Sequence, residues 1–207
     1  MESTRLLDLW TPYAGDDELA SAEWSDLIER WSEPHRAYHN LEHLLLMLEL
    51  LAAQNAHPYT MLAAWYHDAI YDPTSSTNET DSADLARESL NRLGHADATD
   101  RVGDLVLLTA AHANPPDDEA ALLLDADLAI LGQSPAIYLR YVEGVRAEYS
   151  HIGDDDFRAG RSKILRDLLE HERLFQHPAF RHLEDPARSN MTAELTVYEA
   201  REPLGDN

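Results

Sequence analysis

At 207 residues the chain is long enough for one well-buried domain or, at most, two small ones. A formal charge of −23 with a single lysine, Lys163, argues against a nucleic-acid polymer or an anionic membrane as the main partner, and acidity that maintains solubility is its simplest use. With no cysteine, disulfides and thiolate metal sites are excluded, so any metal must be held by His, Asp and Glu.

The predicted elements are almost all helical. Leu6, Leu7, Leu9 and Trp10 suggest a short first helix that Pro12 interrupts. Asp16 to Trp31 carries Leu19, Trp24, Leu27, Ile28 and Trp31 at helical spacing, and Ser32 to Tyr38 breaks the pattern. A long helix is expected from about His39 to Gln54, and His57-Pro58 opens the next, which should end near Tyr71. Asp72 to Asn78 is the clearest loop, with Asn78 placed to cap a helix whose inner face is Ala83, Ala86, Leu90 and Leu93 and which Gly94 ends. Further helices are expected at about 98–112, 117–131, 135–149, 155–175 and 178–199, punctuated by Pro115-Pro116, Gly132 and Gly153. Strand-like alternation, internal repeats and low-complexity linkers are lacking. The expectation is one all-α, single-domain helical bundle over 1–207, its core at about 16–200, with a polar tail after Arg201. The richest apolar run, Leu44 to Ala53, is about half the length of a membrane span and contains Glu49. The opening M-E-S-T-R lacks the layout of a signal peptide, so a cytoplasmic enzyme is expected, with no membrane partner.

The stretch W-Y-H-D-A-I-Y-D, Trp65 to Asp72, sets an imidazole and a carboxylate among apolar neighbours. Burying such groups without partners costs several kcal/mol (about 2–7 for a neutral polar group), so something must satisfy them. His43 shares its helical face with Leu46, Met47 and Leu50. Asp127 lies within the stripe Leu123, Leu124, Leu128 and Leu131, whereas Asp125, about 160° round the helix, should be the less buried of the two. A histidine on an apolar face is more often a satisfied core residue, and a lone inward aspartate more often a cap. Four such residues on three inward faces, two of them adjacent, together suit a metal. Two imidazoles and two carboxylates fit Mn, Fe, Co, Zn or Mg, with water filling open positions as in a catalytic site. Motifs of zinc proteases, serine hydrolases, P-loop NTPases and dinucleotide-binding folds are missing: in H-N-L-E-H the Glu sits beside the second His, not the first.

The order H…HD…D resembles the signature of the HD superfamily of helical metal-dependent phosphohydrolases. Y-H-N-L-E-H, Tyr38 to His43, is similar to the Y-H-N-x-x-H of cyclic-nucleotide phosphodiesterases, which are distant members. That resemblance makes His43 a ligand and His39 the general acid for the leaving group. Ala126 to Leu128 is similar to the word that carries the last ligand there, which again favours Asp127. Nearly the whole chain resembles a bacterial group of predicted metal-dependent HD phosphohydrolases, through E-P-H-R-A-Y-H-N-L-E-H, W-Y-H-D-A-I-Y-D, Asn78-Glu79, D-A-D-L-A-I-L-G, R-A-E-Y, Gly160-Arg161 and A-R-S-N.

The resemblance implies a divalent metal (Mn, Fe, Co, Zn or Mg; one ion, or two) held by His43, His67, Asp68 and Asp127. A water activated by it would attack a phosphate ester of a small molecule, a nucleotide or a related phosphate. Mono-, di- and pyrophosphate substrates are not distinguished, and oligomeric state is open. Asp68 is placed to bridge to a second ion. Asp72 and Glu79 are candidates to orient the water, with capping and solvent-facing roles as the commoner alternative. His112 is a candidate substrate contact or second-metal ligand, and equally a structural histidine. Arg161 and Arg146 are candidate anion clamps, unless they simply pair with neighbouring carboxylates. His171, His177 and His182 read as structural. Two other functions fit the same signature: an HD-type di-iron oxygenase, which needs extra histidines that only His95 and His112 can supply, and a non-catalytic nucleotide- or metal-binding sensor domain.

Overall fold

A computed structural model of the chain describes residues 2–111 and 115–200. The protein is all-α: the described residues form ten α-helices and two short 3₁₀ segments, without a strand. They divide into two compact units that part between Asp127 and Leu128. Among the described residues no single helix is long and apolar enough to cross a membrane.

The first unit is built around α4 (Pro58–Tyr66), which packs against α1 (Glu2–Ala14), α3 (Leu41–Ala53), α5 (Asn78–Arg92) and α6 (Thr99–Leu108). Every residue of α4 from Thr60 to Tyr66 is buried. A helix that is apolar on all sides belongs in a core, and the small Ala63 and Ala64 let neighbours approach closely. The Trp10 ring meets Trp65 edge-on at 5.2 Å, and its indole N–H donates to the Ala20 carbonyl at 3.1 Å, fixing α1 over α4 and α2 (Glu18–Trp31). The last element of this unit is α7 (Asp118–Leu128).

Several helix limits differ from the sequence expectation, each for an identifiable reason. α1 runs through Pro12 and stops at Ala14, where Gly15 takes φ +98°; the lost hydrogen bond falls on the carbonyl of exposed Asp8. In α2 the buried stripe is Ala20, Glu23, Leu27 and Trp31, which leaves Leu19 exposed. α3 begins at Leu41, not His39, because the Asn40 side chain caps it. α4 stops at Tyr66, well short of Tyr71. Asn78 is not the cap of α5: its amide reaches back to clasp Asp72, accepting from the Asp72 N–H at 3.0 Å and donating to its carbonyl at 2.9 Å. Thr77 takes the cap position, and its hydroxyl donates to the Asp81 carboxylate. Gly94, at φ +83°, does end α5.

The second unit opens on a 3₁₀ turn, Ala129–Gly132, continues through α8 (Pro135–Glu148) and α9 (Asp154–Glu170), and closes through a 3₁₀ segment, Pro178–Leu183, into α10 (Glu184–Glu199). The Asn190 amide donates to the Leu131 and Gln133 carbonyls at 2.8 and 2.9 Å, tying α10 to the opening turn. Gly132 is needed there, since a Cβ would stand 2.6 Å from that of Leu183. α9 ends five residues earlier than the periodicity suggests. The Leu174 and Phe175 amides leave the helical pattern to bind the Glu184 carboxylate at 3.0–3.1 Å, and Arg188 bonds the Leu169 and His171 carbonyls. The expected helix over 178–199 divides at Glu184 because Pro186 has no N–H and is tolerated only in a first turn.

Burial alone would raise the Glu184 carboxyl, but the Phe175 and Leu174 amides and Arg188 outweigh it and hold the group below its ordinary range. Its stabilisation is therefore complete above the unfolded carboxyl value and disappears as pH falls through the lowered folded value. Glu184→Gln is expected to lower the unfolding free energy by about 1.5–3 kcal/mol at neutral pH, as for hydrogen bonds to a charged group. Urea melts at neutral and at acid pH should show the gap closing as the carboxylate is protonated. An equal gap at both pH values would contradict this role.

Candidate metal centre

Three chain segments of the first unit bring the sequence-predicted quartet together. The Asn40 side chain accepts from the Glu42 and His43 amides at 2.9 and 3.4 Å, which starts α3 so that His43 turns inward beside buried Leu44, Met47 and Leu48. His67 closes α4: its N–H still bonds the Ala63 carbonyl at 2.9 Å, and Asp68 follows in the turn. Asp127 stands in the last turn of α7. The pair therefore lies at a helix end and not inside a longer helix, which frees the Asp68 carboxylate to swing toward the imidazoles.

The donor atoms converge. His43 Nε2 lies 3.3 Å from His67 Nε2 and 3.2 Å from Asp127 Oδ1. His67 Nε2 lies 3.2 Å from Asp68 Oδ2 and 3.7 Å from Asp127 Oδ1. His43, His67 and Asp68 each offer a ligand atom with all three within 4.8 Å of one another. Neighbouring ligands bound at about 2.1 Å to one tetrahedral or octahedral ion are roughly 3.0–3.4 Å apart; the His43–His67, His43–Asp127 and His67–Asp68 separations fall in that range, and His67–Asp127, at 3.7 Å, lies just beyond it.

The far side of each imidazole is also engaged. His67 Nδ1–H donates to the Ala64 carbonyl at 2.9 Å, and a carbonyl can only accept, so the neutral ring must present a lone pair on Nε2. His43 Nδ1 pairs with the Tyr38 hydroxyl at 3.1 Å. Both imidazoles are buried, at 5% and 1% exposure, whereas the two carboxylates each keep 14% of their side-chain surface accessible. Aromatic rings close the centre on the histidine side, and the two carboxylates are its more accessible ligands. Trp31 forms part of that seal, with its ring 5.3 Å from His67 and 6.3 Å from His43 and its indole N–H donating to the Trp65 carbonyl at 3.0 Å.

Without a cation, a proton does the bridging. Burial pushes His43 below its usual value, only partly offset by Asp127. Burial works the same way on His67, but the charge and hydrogen bond of Asp68, with help from Asp127, raise it to about 9. Asp68 is held well below the ordinary carboxylate range because the His67 charge outweighs its desolvation. A proton and a metal ion thus compete for the same Nε2 atom.

The remaining candidates have other surroundings. His39 precedes the α3 cap rather than sitting one turn earlier on the helix; its ring is edge-on to His43 at 5.9 Å and 4.4 Å from Tyr71. Asp125 is the more buried of the two aspartates of α7, at 1% exposure, contrary to its expected rank; Asp127 is nonetheless the one against the imidazoles. Asp72 is exposed, and its Oδ1 accepts from the Thr74 amide and hydroxyl at 2.8 Å each, which organises the loop. His112 lies outside the described residues. His95 pairs with the Ala14 carbonyl at 3.4 Å.

Arg146 and Arg161 belong to the second unit. Arg146 donates to the Tyr149 and Ile152 carbonyls and to Asp154, and stands over the Phe157 ring. Arg161 is buried in a two-pronged ion pair with Glu194 at 2.9 and 3.2 Å, and Tyr138 donates to the same carboxylate. Both arginines are thereby bound within their own unit.

One residue that sequence reasoning passed over stands beside the quartet. Arg36 is fully buried at its side chain, and its guanidinium bonds the carbonyls of His39, Asp68 and Ala69. Its carbonyl partners leave no pattern in a sequence; the residue stands within E-P-H-R-A-Y-H-N-L-E-H without a role of its own.

Comparisons of the chain with family models, with curated proteins and with solved structures find no match. The site therefore stands on its own geometry. Asp127→Asn is expected to weaken Mn²⁺ binding by at least about tenfold in calorimetric titration, whereas Asp125→Asn should leave that affinity unchanged. The reverse ranking would show that the wrong aspartate has been assigned.

Proposed function

We propose that His43, His67, Asp68 and Asp127 hold a divalent metal ion and that the protein is a metal-dependent phosphohydrolase of the HD type acting on a small phosphorylated molecule. The observation that carries the metal is the group His43, His67 and Asp68, whose ligand atoms lie within 4.8 Å of one another, with Asp127 Oδ1 at 3.2 and 3.7 Å from the two Nε2 atoms and the outer nitrogen of each imidazole already engaged. The two buried Nε2 atoms stand 3.3 Å apart, a separation that needs a proton or a cation between them. The donor set suits Mn, Fe, Co, Zn or Mg.

A divalent ion supplies Lewis acidity, acidifying a coordinated water and neutralising phosphoryl oxygens. The chain's own residues supply the rest. The partly accessible edges of Asp68 and Asp127 mark the side from which water and substrate enter. Trp31 keeps bulk water from the histidine face. His39 sits beside the centre without belonging to it, and in this reading its imidazole gives a proton to the departing alkoxide. The Tyr71 ring against it limits where that imidazole can turn.

Phosphoryl transfer is the proposed chemistry because the four residues and His39 occur in the order and spacing of the HD signature. The test combines elemental analysis of purified protein with a panel of nucleotides, cyclic nucleotides and phosphomonoesters, each assayed with the five metals. Phosphate release is expected from at least one class, and His67→Ala and Asp68→Ala should lose both metal and turnover. His39→Gln should keep the metal and lose about 10²–10⁴-fold in kcat. Full metal content together with full activity in either ligand variant would overturn the proposal, and iron with oxygen consumption in place of phosphate release would transfer the site to the oxygenase class.

A further inference from the structure

Among the charged residues of the first unit, Arg36 has surroundings that the proposed chemistry does not yet use. Its side chain has no accessible surface. The guanidinium lies over the Trp31 ring at 5.2 Å and the Tyr71 ring at 5.3 Å. Nε–H donates to Glu33 at 3.0 Å, while Nη1 donates to both the His39 carbonyl at 3.0 Å and the Asp68 carbonyl at 2.8 Å, and Nη2 to the Ala69 carbonyl at 3.2 Å. One planar group therefore joins the segment before α3, which carries His39, to the turn after α4, which carries Asp68.

We propose that Arg36 is a positioning residue: its guanidinium brackets the His39 carbonyl and the Asp68–Ala69 turn, so that the Asp68 carboxylate and the His39 ring are set relative to each other by one side chain. This rests on the reading that the quartet holds a metal.

Asp68 follows the end of α4, so no helical hydrogen bond fixes its carbonyl or that of Ala69; Arg36 supplies the donors instead. Three inward carbonyls near a buried site need satisfied partners, and a rigid five-donor fork reaches all of them from one point. The two flanking rings hold the fork in plane, which removes the rotational freedom that a lysine ammonium would keep. Arg36 bonds the Asp68 and His39 carbonyls directly, whereas His67 is anchored through Ala64 and His43 through the Tyr38 hydroxyl, so loss of Arg36 should act first on Asp68 and His39.

The experiment titrates Mn²⁺ alone into the full chain by calorimetry. It compares the unaltered protein, Arg36→Met, Arg36→Lys, His67→Ala and Leu90→Ala, with thermal melts alongside. Leu90 is a buried α5 residue outside the centre, so Leu90→Ala reports what lost stability alone does to binding. Arg36→Met is expected to weaken Mn²⁺ binding by about 10–100-fold and Arg36→Lys by a smaller factor, with Leu90→Ala unchanged despite a lower Tm. Where Arg36→Met does not melt cooperatively, Arg36→Lys decides. A folded Lys variant with unaltered Mn²⁺ affinity overturns the positioning role, as does an equal loss in Leu90→Ala. Those outcomes leave the metal reading intact. Failure of the unaltered protein to bind Mn²⁺ any better than His67→Ala overturns both.

Discussion

Two buried imidazole nitrogens face each other across 3.3 Å at the heart of the first unit, and much else follows from that arrangement. Ala64 takes the outer N–H of His67, and the Tyr38 hydroxyl takes the outer nitrogen of His43, so neither ring can turn away. Both rings are buried. Only a proton or a cation can relieve the resulting repulsion, and the two carboxylates beside them favour either one. A helix as apolar as α4 can end on a charged pair because that pair faces partners from α3 and α7 and not lipid-like packing.

The fold supports this arrangement through helix ends more than through helix faces. Asn40 decides where α3 begins and therefore which way His43 points. The stop after Tyr66 releases Asp68 from helical geometry, and Arg36 then takes over the carbonyls that the helix no longer bonds. Trp31, from the end of α2, closes the space behind the rings and stacks on Arg36. In the second unit, by contrast, Arg161 and Glu194 form a buried, tyrosine-flanked ion pair of the kind that organises a core.

How much of this could be seen in the sequence depends on the kind of interaction. The all-helical architecture was legible because apolar spacing reports which face is buried. The same signal brought out His43, His67, Asp68 and Asp127, since polar residues inside apolar stripes are conspicuous, and the structure does bring these four together. Helical phase ranked Asp125 and Asp127 wrongly for burial, because α7 is enclosed on several sides and phase measures direction only. Helix limits were misjudged wherever a side chain competes for backbone amides: Asn40 shortens α3, Glu184 shortens α9, and Asn78 clasps Asp72 instead of capping its helix. Arg36 drew no role because its partners are backbone carbonyls, of which only that of His39 is near in sequence. Arg146 and Arg161 looked like anion clamps in a chain short of cations, yet that surplus of acid supplies each with a carboxylate partner in its own unit.

The central claim is that a single ion lies between the two imidazoles and the two carboxylates. Crystals grown with Mn²⁺ and measured at a wavelength where manganese scatters anomalously test it most directly. The account predicts one strong anomalous peak within about 2.0–2.3 Å of His43 Nε2, His67 Nε2 and at least one oxygen each of Asp68 and Asp127. A peak elsewhere, or none at this centre with the four side chains ordered, would contradict it.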